Sequence, residues 1–132
     1  MTPGSNAFAV ASEYGVLKDV YLCRPDNFQW SDVAKEDTTA NAVVRATLRD
    51  GVPFDKAAAL SGYQEFIAAY EGAGVTCHFA DTDPTLSYQI YTRDPSVMTP
   101  WGVFLGQMYR QQRRGEIATT YRFYEKRGIP VW

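Results

Sequence analysis

Apolar side chains recur along this chain with two different periods, which predicts helices and strands in alternation. Residues 16–23 are β-branched, aromatic or aliphatic and stop at an Arg-Pro-Asp turn signal, so they predict a buried strand. Residues 55–74 carry apolar side chains three and four positions apart, which is typical of an amphipathic helix. The side chains of that apolar face are Tyr63, Phe66, Ile67 and Tyr70. Residues 75–80 then predict a second strand.

Residues at both ends of the first predicted helix indicate where it starts and stops. Asp55 can cap the start of the helix, and Ser61 with Gln64 offers a second possible start. Gly72 and Gly74 supply the stop, because glycine takes the left-handed conformation of a helix end without strain.

The second half of the chain predicts a ββαβ unit. Residues 88–98 and 102–108 are strand-like and flank a Thr-Pro-Trp turn, so they predict a hairpin. Residues 111–126 predict a helix that ends at Gly128, and residues 129–132 begin another strand. The apolar face expected for this helix consists of Ile117, Tyr121 and Tyr124. The first half resembles a looser copy of the same unit, and this weak repeat favours an α/β fold.

The remaining segments set the domain organisation. Residues 1–15 are small and polar and predict a weakly ordered lead-in, while residues 16–132 predict a single domain. Residues 26–50 are irregular and polar, with a short Ala- and Val-rich piece at residues 40–48 that could be helical.

Composition narrows the classes of function. A net charge of -2 with 21% charged residues indicates no nucleic-acid surface, and no apolar run approaches the roughly 18 residues of a membrane helix. The start lacks a basic, then apolar, leader, so we expect a reducing, cytoplasmic setting. The sequence contains two cysteines, Cys23 and Cys77, and one histidine, His78. These are few residues for a metal site or for Cys-His catalysis, and we expect no cofactor.

Asp94 is the first candidate for chemistry. It precedes Pro95, whose ring pushes the preceding residue toward extended backbone and so aims the carboxylate. A guanidinium is its natural ligand, because it stays charged and can donate two parallel hydrogen bonds to a carboxylate. The alternative is that Arg93 and Asp94 are solvated turn residues.

A basic cluster opens the second predicted helix. Arg113 and Arg114 could hold the carboxylate of a substrate, while Glu116 in the first turn complements the helix dipole. The alternative is a solvated helix start with an internal ion pair.

Together these stretches resemble the N-terminal half of the guanidine-modifying pentein enzymes, from about residue 16 onward. That superfamily includes arginine deiminases, glycine amidinotransferases and dimethylarginine dimethylaminohydrolases. The resemblance is carried by residues 17–25, by Tyr91-Thr92-Arg93-Asp94-Pro95-Ser96-Val97 with Gly102, by Arg113-Arg114-Gly115-Glu116 and by residues 128–131.

The resemblance implies part of an α/β propeller, with about two ββαβ modules of five, and a guanidinium bound in its central channel. In such enzymes a cysteine attacks the guanidinium carbon to form a thiouronium intermediate, a histidine moves protons, and water or an amine resolves the intermediate. The resemblance assigns Asp94 to the guanidinium, and Arg113 or Arg114 to the substrate carboxylate.

The resemblance also implies that the catalytic groups are missing. The acidic Glu-Gly-Gly-Asp motif, the histidine and the nucleophilic cysteine of the family all follow the position of Trp132. Cys77 and His78 are neighbours in a predicted strand and point to opposite faces, so they cannot act as nucleophile and base. Cys23 is expected to be a buried strand residue. We therefore expect no catalytic residue in this chain.

Two functions from different classes remain open. The chain is either the substrate-binding portion of a truncated or split amidinohydrolase or amidinotransferase, inactive alone, or a non-catalytic half-propeller that binds arginine-like ligands or self-associates. In both cases uncovered strand edges and apolar faces predict a homo-oligomer or a companion chain that completes the propeller.

Overall fold

The computed structural model of this chain describes residues 8–29 and 42–132. These residues form a mixed α/β fold with two two-stranded sheets, and the predicted α/β class is confirmed. The strands are β1 (Asp19–Leu22), β2 (Thr76–Phe79), β3 (Ser96–Thr99) and β4 (Gly102–Leu105). The α-helices are α1 (Ala42–Arg49), α2 (Lys56–Gly72) and α3 (Glu116–Glu125), and short 3-10 helices lie at Pro25–Asn27 and Gln111–Arg113.

The N-terminal predictions are covered only in part. Of the lead-in expected at residues 1–15, residues 1–7 lie outside the described residues, and residues 8–15 contain no helix or strand. Within the irregular segment, residues 30–41 also lie outside the described residues, and α1 provides the short helix expected near residues 40–48.

Helix α2 begins and ends at residues that the sequence identifies. The Asp55 side chain accepts a hydrogen bond from the Ala58 amide at 2.9 Å, so the predicted cap is confirmed. The alternative start is wrong, because Ser61 and Gln64 lie inside the helix. Gly74, with φ of +78°, takes the left-handed conformation that follows the helix end.

Strands β1 and β2 pair in parallel on either side of α2 in sequence. Val20 lies opposite Cys77, and Tyr21 lies opposite His78. The first predicted strand is shorter than expected, because Val16 and Leu17 are exposed and only four residues of the run pair. Cys23, which directly follows β1, is buried as predicted.

Strands β3 and β4 form the predicted antiparallel hairpin, with Thr99 opposite Gly102. The chain end joins it in parallel through Val131, which pairs with Val103. The Val103 amide donates to the Pro130 carbonyl at 2.8 Å, and the Trp132 amide donates to the Val103 carbonyl at 2.9 Å. The last residues therefore pair with the hairpin through a single parallel bridge.

The strand predicted at residues 88–98 is wrong before residue 96. Residues 86–94 instead form successive turns, in which the Tyr91 amide bonds the Tyr88 carbonyl and the Asp94 amide bonds the Tyr91 carbonyl. The buried side chain of Gln89 holds these turns, because it donates to the Asp81 carbonyl and to the Thr119 hydroxyl. The Gln89 side-chain amide can be buried because its hydrogen-bonding groups have partners in the protein. These partners hold the segment in turns, where the sequence predicted a strand.

Helix α3 begins later than predicted and buries a different face. Tyr124 is buried as expected, but Ile117 is only half-buried and Tyr121 is 42% exposed. Polar side chains of this helix can face the core because they find hydrogen-bond partners there. The hydroxyl of Thr120, for example, lies 3.3 Å from the hydroxyl of Tyr21. The buried residues of the helix are Glu116, Thr119, Thr120, Phe123 and Tyr124.

The main core lies between α3 and the two sheets. The Tyr21 ring packs 4.2 Å, centroid to centroid, from Phe123. Helix α2 contributes no fully buried residue, although it packs on β2. The buried cluster consists of Cys23, Ala80, Val103, Phe123, Tyr124 and Ile129.

Candidate functional site

The structure brings together Asp94 and Arg113, two of the three residues expected to bind substrate. The Nη1 group of Arg113 donates to Oδ2 of Asp94 at 2.7 Å. Asp94 lies in the turn before β3, and Arg113 lies in the 3-10 helix before α3. The contact therefore joins the start of the hairpin to the start of the last helix.

Arg113 is held from its other side by Glu116. Its Nε donates to Oε1 of Glu116 at 2.9 Å, and its Nη2 donates to Oε2 at 2.8 Å, a two-bond pairing across three residues. Nη2 also reaches the Tyr91 carbonyl at 3.4 Å. Burial alone would lower the pKa of Arg113, but the hydrogen bonds that it donates to Glu116 and Asp94 outweigh this effect and raise that pKa.

Glu116 is 1% exposed, so this ion pair is not the solvated helix start that the sequence left as an alternative. Gly115 allows the close approach at this point, because a Cβ there would lie 2.8 Å from Cδ2 of Leu86. The helix start is thus packed against the turn segment that carries Asp94.

Asp94 combines a fixed position with access to solvent. Its side chain is 49% exposed, and one oxygen, Oδ2, is bonded to Arg113. Among the described residues no hydrogen bond reaches Oδ1. One carboxylate oxygen is therefore open to a ligand.

A cluster of four aromatic rings adjoins this carboxylate through Tyr91. The guanidinium carbon of Arg113 lies 5.5 Å from the centre of the Tyr91 ring. Tyr91 is 43% exposed. Its partial burial raises the pKa of its hydroxyl, and the electrostatic effect of Tyr88 raises it further. The sequence alone assigns no role to Tyr91, although its place three residues before Asp94 is a signal that it lies near the site. The four rings belong to Phe28, Phe54, Tyr88 and Tyr91.

Arg114 takes no part in the pairings that join Asp94, Arg113 and Glu116. It is exposed, and its Nε donates to the Met108 carbonyl at 3.4 Å. No carboxylate pairs with it among the described residues. It lines a shallow groove together with Leu105, Ile117, Ala118, Tyr121 and Arg122.

The two cysteines and the histidine lie in different environments. Burial raises the pKa of Cys23 to about 11, and its thiol is 1% exposed. The Cys77 pKa is also raised, by burial and then by Glu71. His78 Nε2 lies 2.8 Å from Asp19 Oδ1, and the side chains of Cys77 and His78 alternate across β2.

The described residues offer neither a cluster of metal ligands nor a membrane-spanning helix. In the part of the chain that the structure describes, no cluster of three or more His, Cys, Asp or Glu residues could hold a metal ion. None of the helices described is long and apolar enough to cross a membrane.

Comparisons with known proteins show likeness in structure and none in sequence. No protein-family profile matches the chain, and no curated protein matches it. Among solved structures, apo ArgZ, an arginine dihydrolase from the ornithine-ammonia cycle in cyanobacteria, matches with a TM-score of 0.71 and 14% identity. That match covers 86% of this chain and 16% of ArgZ.

Two further solved structures are similar. The product-bound N-terminal domain of ArgZ matches with a TM-score of 0.70 and 13% identity, over 88% of this chain and 39% of that domain. The dimethylarginine dimethylaminohydrolase DDAH from Pseudomonas aeruginosa, in complex with citrulline, matches with a TM-score of 0.59 and 18% identity, over 87% of this chain and 40% of that one.

These matches confirm the pentein resemblance at the level of fold. The chain shares the fold of arginine-modifying enzymes over most of its length, and it spans about two fifths of the enzyme domains that it matches.

Proposed function

We propose that this chain binds arginine-like guanidine compounds through Asp94, as the substrate-binding part of an amidinohydrolase or amidinotransferase. The main support for this proposal is the Asp94 carboxylate, which is bonded to Arg113 through Oδ2 and can accept a ligand at Oδ1. It lies in a fold shared with solved enzymes that bind arginine or citrulline. A carboxylate fixed in this way loses little side-chain freedom when a cation binds.

The charges around Asp94 favour a cation. Two carboxylates, Asp94 and Glu116, meet one guanidinium, Arg113, so the group keeps one negative charge. Glu116 is buried and fully engaged, and the unbalanced charge therefore lies on the exposed Asp94. A guanidinium complements this charge and can also stack on the neighbouring Tyr91 ring.

Arg114 is the better placed of the two arginines for the carboxylate of an amino-acid substrate. Its terminal nitrogens have no protein partner among the described residues, whereas those of Arg113 are bonded to Glu116, Asp94 and the Tyr91 carbonyl. An arginine with free terminal nitrogens can bind a carboxylate through two hydrogen bonds.

The chain supplies no nucleophile in this proposal. A covalent thiouronium step needs a thiolate, and Cys23 is buried with a pKa of about 11. The catalytic cysteine and histidine would come from a companion chain or from further modules of an α/β propeller. Free thiols at Cys23 and Cys77 fit the reducing interior of a cell, and we place the protein in the cytoplasm.

A second candidate function is a non-catalytic half-propeller that binds the same ligands or self-associates. It is favoured by the exposed apolar pair on the hairpin: Val97 is 64% exposed and Phe104 is 52% exposed, and they lie opposite each other. Such a pair is suited to burial against another protein surface.

Titration with L-arginine, followed by NMR, tests the proposed function. We expect saturable shifts around Asp94, and a loss of affinity of about ten- to a hundredfold in Asp94→Asn, because a charge-assisted hydrogen bond is removed. Asp50→Asn is the matched control, since Asp50 also pairs with an arginine at the surface but lies in the turn that follows α1. Equal affinities in wild type and Asp94→Asn would refute the proposal.

A further inference from the structure

We propose that Arg113 is a positioning residue, which orients Asp94 for the ligand without touching the ligand itself. This inference rests on the proposed function, because Asp94 is the group that Arg113 orients. It assigns Arg113 a role different from the carboxylate-binding role that the sequence resemblance left open for it.

The hydrogen bonds of Arg113 carry the argument. A guanidinium has five N–H donors in a fixed plane. Two nitrogens of Arg113 point at the two oxygens of Glu116, the third nitrogen donates to Asp94, and Nη2 also reaches the Tyr91 carbonyl. The fork of donors that would grip a substrate carboxylate is therefore used inside the protein.

Burial fixes this arrangement. The Arg113 side chain is 12% exposed and that of Glu116 is 2% exposed, so neither can leave its partner without stranding a charge. The backbone adds to the constraint, since the Arg113 Nη2 group and the Asp94 amide both bond the Tyr91 carbonyl. Arg113 thus forms a rigid link from the start of α3 to the exposed Asp94.

The link has a chemical consequence. Asp94 is half-exposed and would sample several rotamers on its own, whereas the bond to Arg113 selects one of them and leaves Oδ1 accessible. Ordering the carboxylate before the ligand arrives lowers the cost of binding for every guanidine compound, with or without a carboxylate of its own.

Arg113→Lys is the decisive variant. Lysine keeps the charge but cannot donate to both oxygens of Glu116 and to Asp94 in one plane. Two probes separate the roles: L-arginine, and agmatine, which is arginine without its carboxylate. If Arg113 acts through Asp94, both affinities fall by the same factor, about two- to tenfold.

The conformation of the Asp94 side chain is measured in addition, in the absence of ligand. The three-bond couplings of the Asp94 β-protons report its χ1 rotamers, and we expect one rotamer in wild type and averaging in Arg113→Lys. Arg49→Lys is the control, because Arg49 pairs with Asp50 on the exposed surface of α1 and should change neither readout. Arg114→Gln should weaken L-arginine alone.

The outcomes are distinct. A loss of L-arginine affinity in Arg113→Lys with unchanged agmatine affinity would overturn the inference, since Arg113 would then contact the substrate carboxylate. Unchanged Asp94 couplings would overturn it as well. If neither probe binds wild type, the proposed function fails, and the couplings alone decide whether Arg113 orders Asp94.

Discussion

Glu116 is among the most deeply buried side chains that the structure describes, and its charge is balanced by Arg113. Removing two charges from water costs several kcal/mol for each, and their hydrogen bonds offset this cost only while both partners remain. At the scale of single residues, this pair therefore links the stability of the helix start to the position of Asp94.

The ion pair leads to a prediction on stability. Arg113→Ala leaves Glu116 buried and unpaired, so we expect the free energy of unfolding to fall by about 3–5 kcal/mol, and Glu116→Gln added to it should restore part of the loss. Urea unfolding measures both. The exposed pair of Arg49 and Asp50 gives the comparison, because Arg49→Ala should have little effect. Similar losses at the two sites would contradict this account.

A second prediction at this scale concerns alkaline pH. Burial raises the pKa of Cys23 from 9.0 to about 11, so the folded state keeps a proton that the unfolded state loses. The resulting stabilisation is complete below pH 9 and is lost as the pH rises to 11, a change of roughly 2–3 kcal/mol. The pKa values of Tyr21 and Tyr63, raised to about 12 mainly by burial, extend the loss above pH 10.

Urea unfolding of wild type and Cys23→Ala at several pH values between 8 and 12 checks this prediction. The variant should lose less stability than wild type between pH 9 and 11, and the two should lose equal amounts from there to pH 12. Parallel curves over the whole range would show that Cys23 does not titrate as its burial requires.

At the scale of elements, two glycines differ in what their positions tolerate. Gly102 has a φ of +141°, and a Cβ there would lie 2.4 Å from the Pro130 carbonyl oxygen. Gly62 lies inside α2 with nothing within 4 Å of an added Cβ. The first glycine is required by the hairpin and by the bridge at Val131, whereas the second only weakens a helix.

These positions predict opposite effects of alanine. Gly102→Ala should destabilise the protein by more than about 1 kcal/mol, because the backbone is strained and the chain end must move away from β4. Gly62→Ala should stabilise it by about 0.5–1 kcal/mol, since alanine favours a helix interior. Thermal unfolding of the two variants measures both effects, and destabilisation by Gly62→Ala would contradict the described environment of that residue.

The residues at helix ends and turns predicted where helices and the hairpin lie better than the apolar pattern predicted which side of a helix is buried. The cap at Asp55, the left-handed Gly74 and the hairpin turn are fixed by neighbouring residues, so the sequence could identify them. The polar face of α3 could not be identified, because Thr119 and Thr120 bond partners distant in sequence. The candidate site divides in the same way: Asp94 was found from its proline, whereas the pairing of Arg113 with it depends on the packing of α3.

At the scale of the whole molecule, the described chain keeps a large apolar surface exposed. Val97 and Phe104 form an exposed pair on the hairpin, and Trp101 and Trp132 are each 67% exposed. The chain also spans about two fifths of the enzyme domains that share its fold. The exposed apolar side chains are suited to burial against another protein surface.

Association leads to a prediction on mass. Light scattering after size-exclusion chromatography should show a dimer or larger species that increases with concentration, because burial of aromatic surface drives self-association. Phe104→Lys should shift the distribution toward monomer, whereas Tyr14→Lys, at an exposed position in the lead-in, should not. A purely monomeric wild type at high concentration would contradict self-association and leave a companion chain as the partner.

We expect this chain to hold a guanidine compound at Asp94 without transforming it. Incubation of the chain with L-arginine in an NMR tube, with protein and small-molecule signals recorded together, tests both parts. We expect saturable shifts centred on Asp94 and an arginine signal that stays constant over days. Formation of citrulline or ornithine, or shifts confined to residues away from Asp94, would contradict it.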